Sequence, residues 1–165
     1  MTAVTEVAAA PLDRATRVVT GFVVVLFAVL AVAMVAVPGP GLVARLLLPT
    51  VFVGVLALSW ALAPRGYATA PGQLVVQRRG FRPRTYAVTA DAPVTWPAGM
   101  RGVRLLGSGG LFGYYGTFWT RELGRYRAHV TDRRRTVLVR TPKGPVIISP
   151  ADVEAFLATV WKGPR

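Results

Sequence analysis

The 165-residue chain contains no cysteine and only one histidine, His129. The lack of cysteine excludes disulfides, thiolate nucleophiles and thiolate metal sites. No two of the scattered carboxylates are obviously paired for acid–base work, and no second histidine accompanies His129. The sequence therefore predicts no enzyme, no metal site and no cofactor.

Acidic residues are also scarce. Seven Asp and Glu stand against twenty Lys and Arg, which gives a formal net charge of +13. Near an anionic leaflet, each basic residue contributes about 1 kcal/mol of attraction. Nucleic acid would also attract this charge, but the sequence has no helix-turn-helix signature and no cysteine for a zinc finger. We therefore expect the charge to face a membrane and not a nucleic acid.

Charge is absent from two long apolar segments, residues 18–37 and 46–63. An apolar helix of ~20 residues spans the ~30 Å hydrocarbon core of a bilayer. A short Pro/Gly connector joins the segments, so residues 14–65 are predicted to form a transmembrane hairpin. Neither segment contains an ionisable residue, which indicates an anchor and not an ion pathway.

Two other interpretations of these segments compete with a hairpin. The first segment resembles a cleaved signal peptide, with Arg14 and Arg17 as its positive region. It exceeds the usual ~7–15-residue apolar core, however, and the second segment follows at once. Buried helices of a soluble protein are the other alternative, which the lack of a polar face disfavours.

The arginines flanking the segments predict their orientation. Arg14 and Arg17 precede the first segment and Arg65 follows the second, whereas the connector carries only Arg45. Because positive residues stay on the cytoplasmic side, both termini and the C-terminal domain should be cytoplasmic. Residues 1–13 are expected to be a flexible cytoplasmic tail. Arginine-rich usage with abundant Ala, Val, Gly and Pro is typical of a GC-rich bacterial genome, so the expected location is the bacterial inner membrane.

Residues 66–165 carry short alternating segments of the kind that form antiparallel strands. The clearest is residues 125–131, in which Tyr126, Ala128 and Val130 alternate with polar residues. This pattern predicts a half-buried strand with His129 exposed. Residues 132–135 are expected to form a hairpin turn leading to a return strand, residues 136–141. The chain should end in an amphipathic helix capped by Ser149.

Several of these segments resemble the bacterial pleckstrin-homology-like (PH-like) domain family. They are GLFGYYGTF (110–118), GRY (124–126), VLVRT (137–141) and IISPAD (147–152), and the resemblance spans residues 67–161. Members of that family often appear fused to one or two membrane spans. The resemblance implies an α+β fold, in which an antiparallel β-barrel or sandwich over residues 66–165 is closed by one C-terminal amphipathic helix. It implies a binding role and supplies no catalytic residues.

Two features of the domain are candidates for a binding site. The glycine-rich segment 107–113 lacks the Gly-Lys-Ser/Thr ending of a phosphate loop and is interpreted as a strand connection. The basic residues are the remaining lead, either as a lipid or partner site or as a solvated or membrane-apposed face. The candidate site residues are Arg125, Arg127, Arg133, Arg134, Arg135 and Lys143.

The sequence thus predicts a membrane-anchored, non-catalytic PH-like module at the cytoplasmic face that binds a protein or peptide partner. One alternative is binding of anionic lipid headgroups through the arginine-rich face. Another is an accessory subunit of a membrane transport or envelope-assembly complex, bound through the hairpin itself.

Overall fold

The computed structural model of the chain describes residues 5–36, 39, 41–70, 72–89, 93–96, 100 and 102–160. Two long helices follow a short first strand, and nine further strands precede a C-terminal helix. In chain order the elements are β1 (Thr5–Ala8), α1 (Arg14–Ala36), α2 (Leu42–Leu62), β2 (Pro64–Ala70), β3 (Gln73–Arg78), β4 (Arg84–Ala87), β5 (Val94–Thr95), β6 (Val103–Gly109), β7 (Tyr114–Thr120), β8 (Gly124–Val130), β9 (Val137–Val139), β10 (Val146–Ile148) and α3 (Val153–Val160). The α+β prediction is confirmed.

Helices α1 and α2 are 23 and 21 residues long, and both are long and apolar enough to cross a membrane. They lie side by side, with the rings of Phe27 and Phe52 stacked 4.5 Å apart. Most of their apolar side chains face outward, as Phe22 and Val53 do with two thirds of their surface exposed. Such a surface suits lipid, because an apolar exterior of this size is unfavourable in water.

The described strands form two sheets and no closed barrel. The first has the order β1-β2-β3-β4 and the second β5-β9-β10-β8-β7-β6. Every pairing is antiparallel except that of β8 with β10, which is parallel. Strand β10 therefore lies between β8 and β9. The expected hairpin turn at residues 132–135 is wrong, since this loop crosses over to a strand that does not pair with β8.

The first strand corrects the prediction of a flexible tail. Strand β1 pairs antiparallel with β2, from Thr5 opposite Thr69 to Ala8 opposite Gly66. The N–H of Ala10 then donates to the carbonyl of Ser149 at 2.8 Å, and Ala10 is buried. The tail is therefore ordered from residue 5, because the edge of β2 offers backbone partners that a local pattern does not reveal. Residues 1–4 lie outside the described residues.

The two sheets pack against each other, and the six-stranded sheet is buried on both faces at β9 and β10. One face joins Val137 and Ile148 to Tyr67 and Val76 of the first sheet and to Phe156 of α3. The other face carries a second cluster, which includes Tyr114, Phe118, Tyr126, Leu138 and Ile147. Burial on both faces explains why β9 and β10 read as continuous apolar runs without alternation.

The same packing corrects the expectations for His129 and for the cap of α3. Strand β8 does alternate, but the first sheet covers its polar face at one end, so His129 is only 4 % exposed.

Helix α3 begins three residues later than its expected cap, Ser149, implies. Asp152 Oδ1 accepts the N–H of Ala155 at 2.9 Å, whereas the Ser149 hydroxyl accepts the N–H of Thr131.

Candidate functional site

The structure divides the six candidate basic residues between two ends of the six-stranded sheet. Arg125 and Arg127 lie in the first half of β8, and Lys143 lies in the turn that leads into β10. Arg133, Arg134 and Arg135 follow the last residue of β8. At ~3.4 Å per residue, Arg125 and Val130 are ~17 Å apart along the strand. The six residues therefore do not form one site.

The end occupied by Arg133–Arg135 is the end that contacts the apolar helices. There the turn between β6 and β7 packs on α1, where Thr20 Oγ1 donates to the Gly110 carbonyl at 3.3 Å and accepts the N–H of Phe112 at 3.0 Å. Tyr115 Oη also donates to the carbonyl of Ser59 in α2 at 2.7 Å. We call this the helix-proximal end of the domain, and the end with Arg125 and Lys143 the helix-distal end.

At the helix-proximal end, five arginines line one open cleft of about 790 Å³. Three come from the loop after β8, and two come from the first turn of α1. We call this the arginine cleft, and its charged residues are Arg14, Arg17, Arg133, Arg134 and Arg135, together with Asp13 and Asp132. Five positive and two negative charges leave a surplus of three positive charges.

Asp13 connects the loop after β8 to the start of α1. Its Oδ1 accepts the N–H of Thr16 at 2.6 Å, so Asp13 caps the helix. Its Oδ2 accepts the N–H of Arg133 at 3.3 Å and lies 3.5 Å from Nε of the same residue. Burial raises the pKa of Asp13, but the hydrogen bonds from Thr16 and Arg133 and the positive charge of Arg133 outweigh it and hold the pKa below its ordinary value. Asp13 is thus a structural anion of the cleft.

The two ion pairs among the described residues leave most of the cleft's positive charge uncompensated. They join Arg133 to Asp13 and Arg135 to Asp132, the latter at 3.8 Å. Within the described part of the chain, neither pair includes Arg14, Arg17 or Arg134. The N-terminal end of α1 adds a partial positive charge at the same place. The cleft is therefore suited to a multiply charged anion.

The helix-distal group forms a separate and smaller groove of about 300 Å³, which Arg125, Arg127 and Lys143 line together with Tyr126 and Pro145. The guanidinium carbon of Arg127 lies 5.9 Å from the ring centroid of Tyr86, on the face that carries His129. No residue of α1 or α2 lines this groove, so it serves as an internal comparison for the cleft.

Sequence reasoning missed Arg14 and Arg17 as members of the site. Both were interpreted as orientation signals before a membrane segment or as the positive region of a signal peptide. Their approach to Arg133 depends on two hydrogen bonds. The Asp13 N–H donates to the Thr131 carbonyl at 3.1 Å, and the Thr131 hydroxyl donates to the Ala10 carbonyl at 2.5 Å. No local sequence signal encodes such contacts between residues more than one hundred positions apart.

His129 of β8 is a buried polar group with two buried tyrosines as neighbours. Its Nε2 lies 2.8 Å from Tyr86 Oη, and its carbonyl accepts a hydrogen bond from Tyr67 Oη at 2.6 Å. Burial lowers its pKa to about 3, and the positive charges of Arg84, Arg78 and Arg127 contribute. The imidazole is therefore neutral at physiological pH. The described residues contain no group of three or more His, Asp or Glu side chains placed to hold a metal ion.

Comparison with known proteins gives one match. Residues 96–162 match the family model described as a bacterial PH domain. The matched range begins directly after β5, includes α3 and contains the loop of the arginine cleft, whereas α1, α2, β5 and the first sheet lie outside it. No curated protein and no solved structure matches the chain.

Proposed function

We propose that the chain, whose residues 96–162 match the family model of a bacterial PH domain, is a membrane-anchored, non-catalytic binding module whose arginine cleft holds the phosphate groups of anionic lipid headgroups. The observation that carries the proposal is that Arg14 and Arg17 of α1 line the same cleft as Arg133–Arg135.

The position of the cleft along α1 matches the depth of headgroups. The apolar run of the helix begins at Val18, the residue after Arg17. Arginines at this boundary lie where lipid phosphates lie when α1 spans the hydrocarbon core. Guanidinium groups bind phosphate through two parallel hydrogen bonds, which a cleft with several arginines can satisfy from more than one side.

The proposed location is the cytoplasmic leaflet of a bacterial inner membrane. The helix ends next to the domain carry Arg14, Arg17 and Arg65, and the far ends carry only Arg45. Positive residues favour the cytoplasmic side, and its anionic lipids would supply the headgroups. A reporter that functions only in the cytoplasm should be active when it is fused to the C-terminus. Activity of a fused reporter that functions only outside the cytoplasm would contradict this orientation.

The headgroup proposal is tested with the full chain reconstituted in bilayers that contain a trace of spin-labelled lipid. Electron paramagnetic resonance then measures the preference for phosphatidylglycerol over phosphatidylcholine at the protein surface. The test variant Arg134→Gln/Arg135→Gln removes two cleft charges. The matched control Arg125→Gln/Arg127→Gln removes two charges at the helix-distal end.

In the cleft variant at low salt, we expect the preference for phosphatidylglycerol over phosphatidylcholine to fall roughly five-fold for each arginine removed, because about 1 kcal/mol per charge corresponds to that factor. The effect should shrink at high salt because screening shortens the range of surface charge. The control should retain the preference of the natural chain. Equal losses in both variants would show that net charge, and not the cleft, attracts the lipids.

A second candidate function, binding of a protein or peptide partner, is favoured by strand β6. This strand ends the order of its sheet, so one side of its backbone has no strand neighbour among the described residues. Val103, Leu106 and Trp119 form an exposed apolar strip beside this edge, and Leu106 is 73 % exposed. An extended segment of a partner can add to such an edge as a further strand.

Partner binding is distinguished by photocrosslinking in native membranes. A crosslinker placed at Leu105 should yield a discrete protein adduct, which Leu106→Asn should abolish and the cleft variant should leave intact. Replacement of α1 and α2 by an unrelated hairpin tests the hypothesis that the protein is an accessory subunit of a transport or envelope-assembly complex. Retention of the adduct after that replacement would argue against binding through the helices.

A further inference from the structure

The loop between β3 and β4, residues 79–83, lies on the end of α2. Carbonyl groups in the last turn of a helix have no partner within the helix. Here the N–H of Gly80 donates to the Ala61 carbonyl at 2.9 Å. The N–H of Arg79 donates to the Ala63 carbonyl at 3.2 Å. A Cβ added at Gly80 would lie 2.6 Å from the Cβ of Ala61, so glycine lets the loop approach the helix closely. The loop is therefore held where the apolar segment of α2 ends.

Two aromatic side chains are exposed at this level. Trp60 of α2 is 46 % exposed, and Phe81 of the loop is 44 % exposed. The guanidinium carbon of Arg79 lies 5.8 Å from the ring centroid of Trp60. That of Arg78 lies 5.4 Å from the ring centroid of Phe81. Tryptophan is enriched at the membrane–water boundary, and a cation over an aromatic face joins an apolar ring to a charge that can meet lipid phosphate.

Positive charge surrounds the two rings without a compensating ion pair. Arg79, Arg82 and Arg84 are exposed, and Arg78 is half-buried. Arg78 donates to the Arg82 carbonyl from Nε at 3.0 Å and from Nη2 at 2.5 Å, which ties the two ends of the loop together. Neither ion pair of the described residues includes any of these four arginines. The loop therefore presents uncompensated charge next to aromatic surface.

The apolar surface of α2 extends to this loop. Val55 and Leu58 are exposed on the turns before Trp60. A bilayer that surrounds α2 would therefore reach the loop with no further partner. Anionic lipid also has the complementary charge, since basic groups near an anionic leaflet are attracted to it. A protein partner at the same rings would have to displace that lipid.

We propose that the β3–β4 loop is a membrane contact of its own. Phe81 enters the boundary between headgroups and acyl chains beside Trp60, and the arginines of the loop bind the surrounding lipid phosphates. The inference rests on the proposed anchoring of the chain by α1 and α2. It goes beyond the arginine cleft, because it adds a contact at the end of α2 in which an aromatic side chain, and not charge alone, meets the lipid.

The experiment uses single cysteines, because the natural chain has none. The fluorophore NBD is attached at one position of the full chain in bilayers of phosphatidylcholine and phosphatidylglycerol. These bilayers contain lipid with a nitroxide quencher either near the headgroup or near the end of the acyl chain. The test position is Pro83, which is exposed in the loop. Lys143 at the helix-distal end is the matched control, and Val29, roughly 16 Å along α1 from Val18, marks the bilayer centre.

We expect the label at position 83 to be quenched more by the shallow nitroxide than by the deep one, and roughly three-fold or more above the label at position 143. The label at position 29 should show the opposite depth preference. Equal quenching at positions 83 and 143, with deep quenching retained at position 29, would overturn the loop proposal and leave the anchoring by the helices intact. Absence of quenching at position 29 would contradict the anchoring by α1 and α2, and this inference with it.

Substitutions in the chain labelled at position 83 test the side chain that carries the contact. Phe81→Ser should reduce the shallow quenching roughly five-fold, because the exposed part of the ring then gains nothing by leaving water, and Phe81→Trp should retain it. Leu106→Ser, which removes an exposed apolar side chain from β6, should leave the quenching unchanged. Arg134→Gln/Arg135→Gln should also leave it unchanged, so failure of the arginine cleft is separable from failure of the loop. Unchanged quenching in Phe81→Ser would count against the loop proposal.

Discussion

Replacing His129 by glutamine is expected to remove most of the pH dependence of the domain's stability between pH 5 and pH 8. The imidazole is 4 % exposed, and its pKa in the folded chain is about 3. Burial is the main cause, and the charges of Arg84, Arg78 and Arg127 add to it. The ordinary pKa of histidine, which applies to the unfolded chain, is about 6.5.

The direction of the effect follows from which state binds the proton. Below pH 6.5 the unfolded chain protonates His129, but the folded chain does not until the pH approaches 3. Stability is therefore fully present above pH 6.5 and is lost as the pH falls through this window. At pH 5 the loss is RT ln(1 + 10^1.5), about 2 kcal/mol. For a domain of this size, that corresponds to a fall of roughly 8–16 °C in melting temperature.

Thermal unfolding of the full chain in a neutral detergent, followed by near-ultraviolet circular dichroism at pH 5 and pH 8, measures this difference. The natural chain should show it, and His129→Gln should show little. Tyr86→Phe is the matched control, because it removes the 2.8 Å contact to Nε2 but keeps the buried imidazole. An equal pH dependence in His129→Gln and the natural chain would refute the assignment to His129.

Two further predictions concern the backbone. Asp152→Ala should destabilise the domain by about 1 kcal/mol in thermal unfolding, because it removes the cap of α3; no loss would show that the cap contributes nothing. Gly107→Ala should destabilise by more than ~1 kcal/mol, because the added methyl collides with a carbonyl oxygen in a left-handed backbone region, where φ is 111°. Gly109→Ala is its control, since only the flexible end of Arg104 lies nearby, and equal losses at both positions would contradict the collision.

The elements that local physics dictates were predictable from the sequence. Two uncharged segments of membrane length indicate two long apolar helices whatever follows them, because only helices satisfy every backbone group within one segment in lipid. Alternation in residues 125–131 predicts β8, and the stripe containing Val153 and Phe156 predicts α3. These patterns, together with the glycine–tyrosine segment at 110–118, also suffice for the PH-like resemblance.

The features that depend on distant parts of the chain were not predictable. Sequential strands pair by default, so the sequence favours β8 next to β9, and only the shared core of both sheets places β10 between them. The alternation in β8 does show which face carries His129. It does not show that Tyr67 and Tyr86, from a sheet formed more than forty residues earlier in the chain, cover that face. The arginine cleft has the same origin, since α1 and the β8–β9 loop meet only in the folded chain.

The pairing of β1 with β2 makes the pair of long apolar helices, α1 and α2, an insertion within a sheet. The chain leaves one strand, crosses to α1 and α2, and returns to the neighbouring strand, so the entry and exit points stay one strand spacing, about 5 Å, from a common ladder. A domain joined in this way has no flexible linker to the helices, so its position relative to α1 and α2 is set by the fold. Cleavage after the first apolar segment would therefore separate β1 and α1 from the rest of the domain, and would expose the edge of β2 to unwanted pairing.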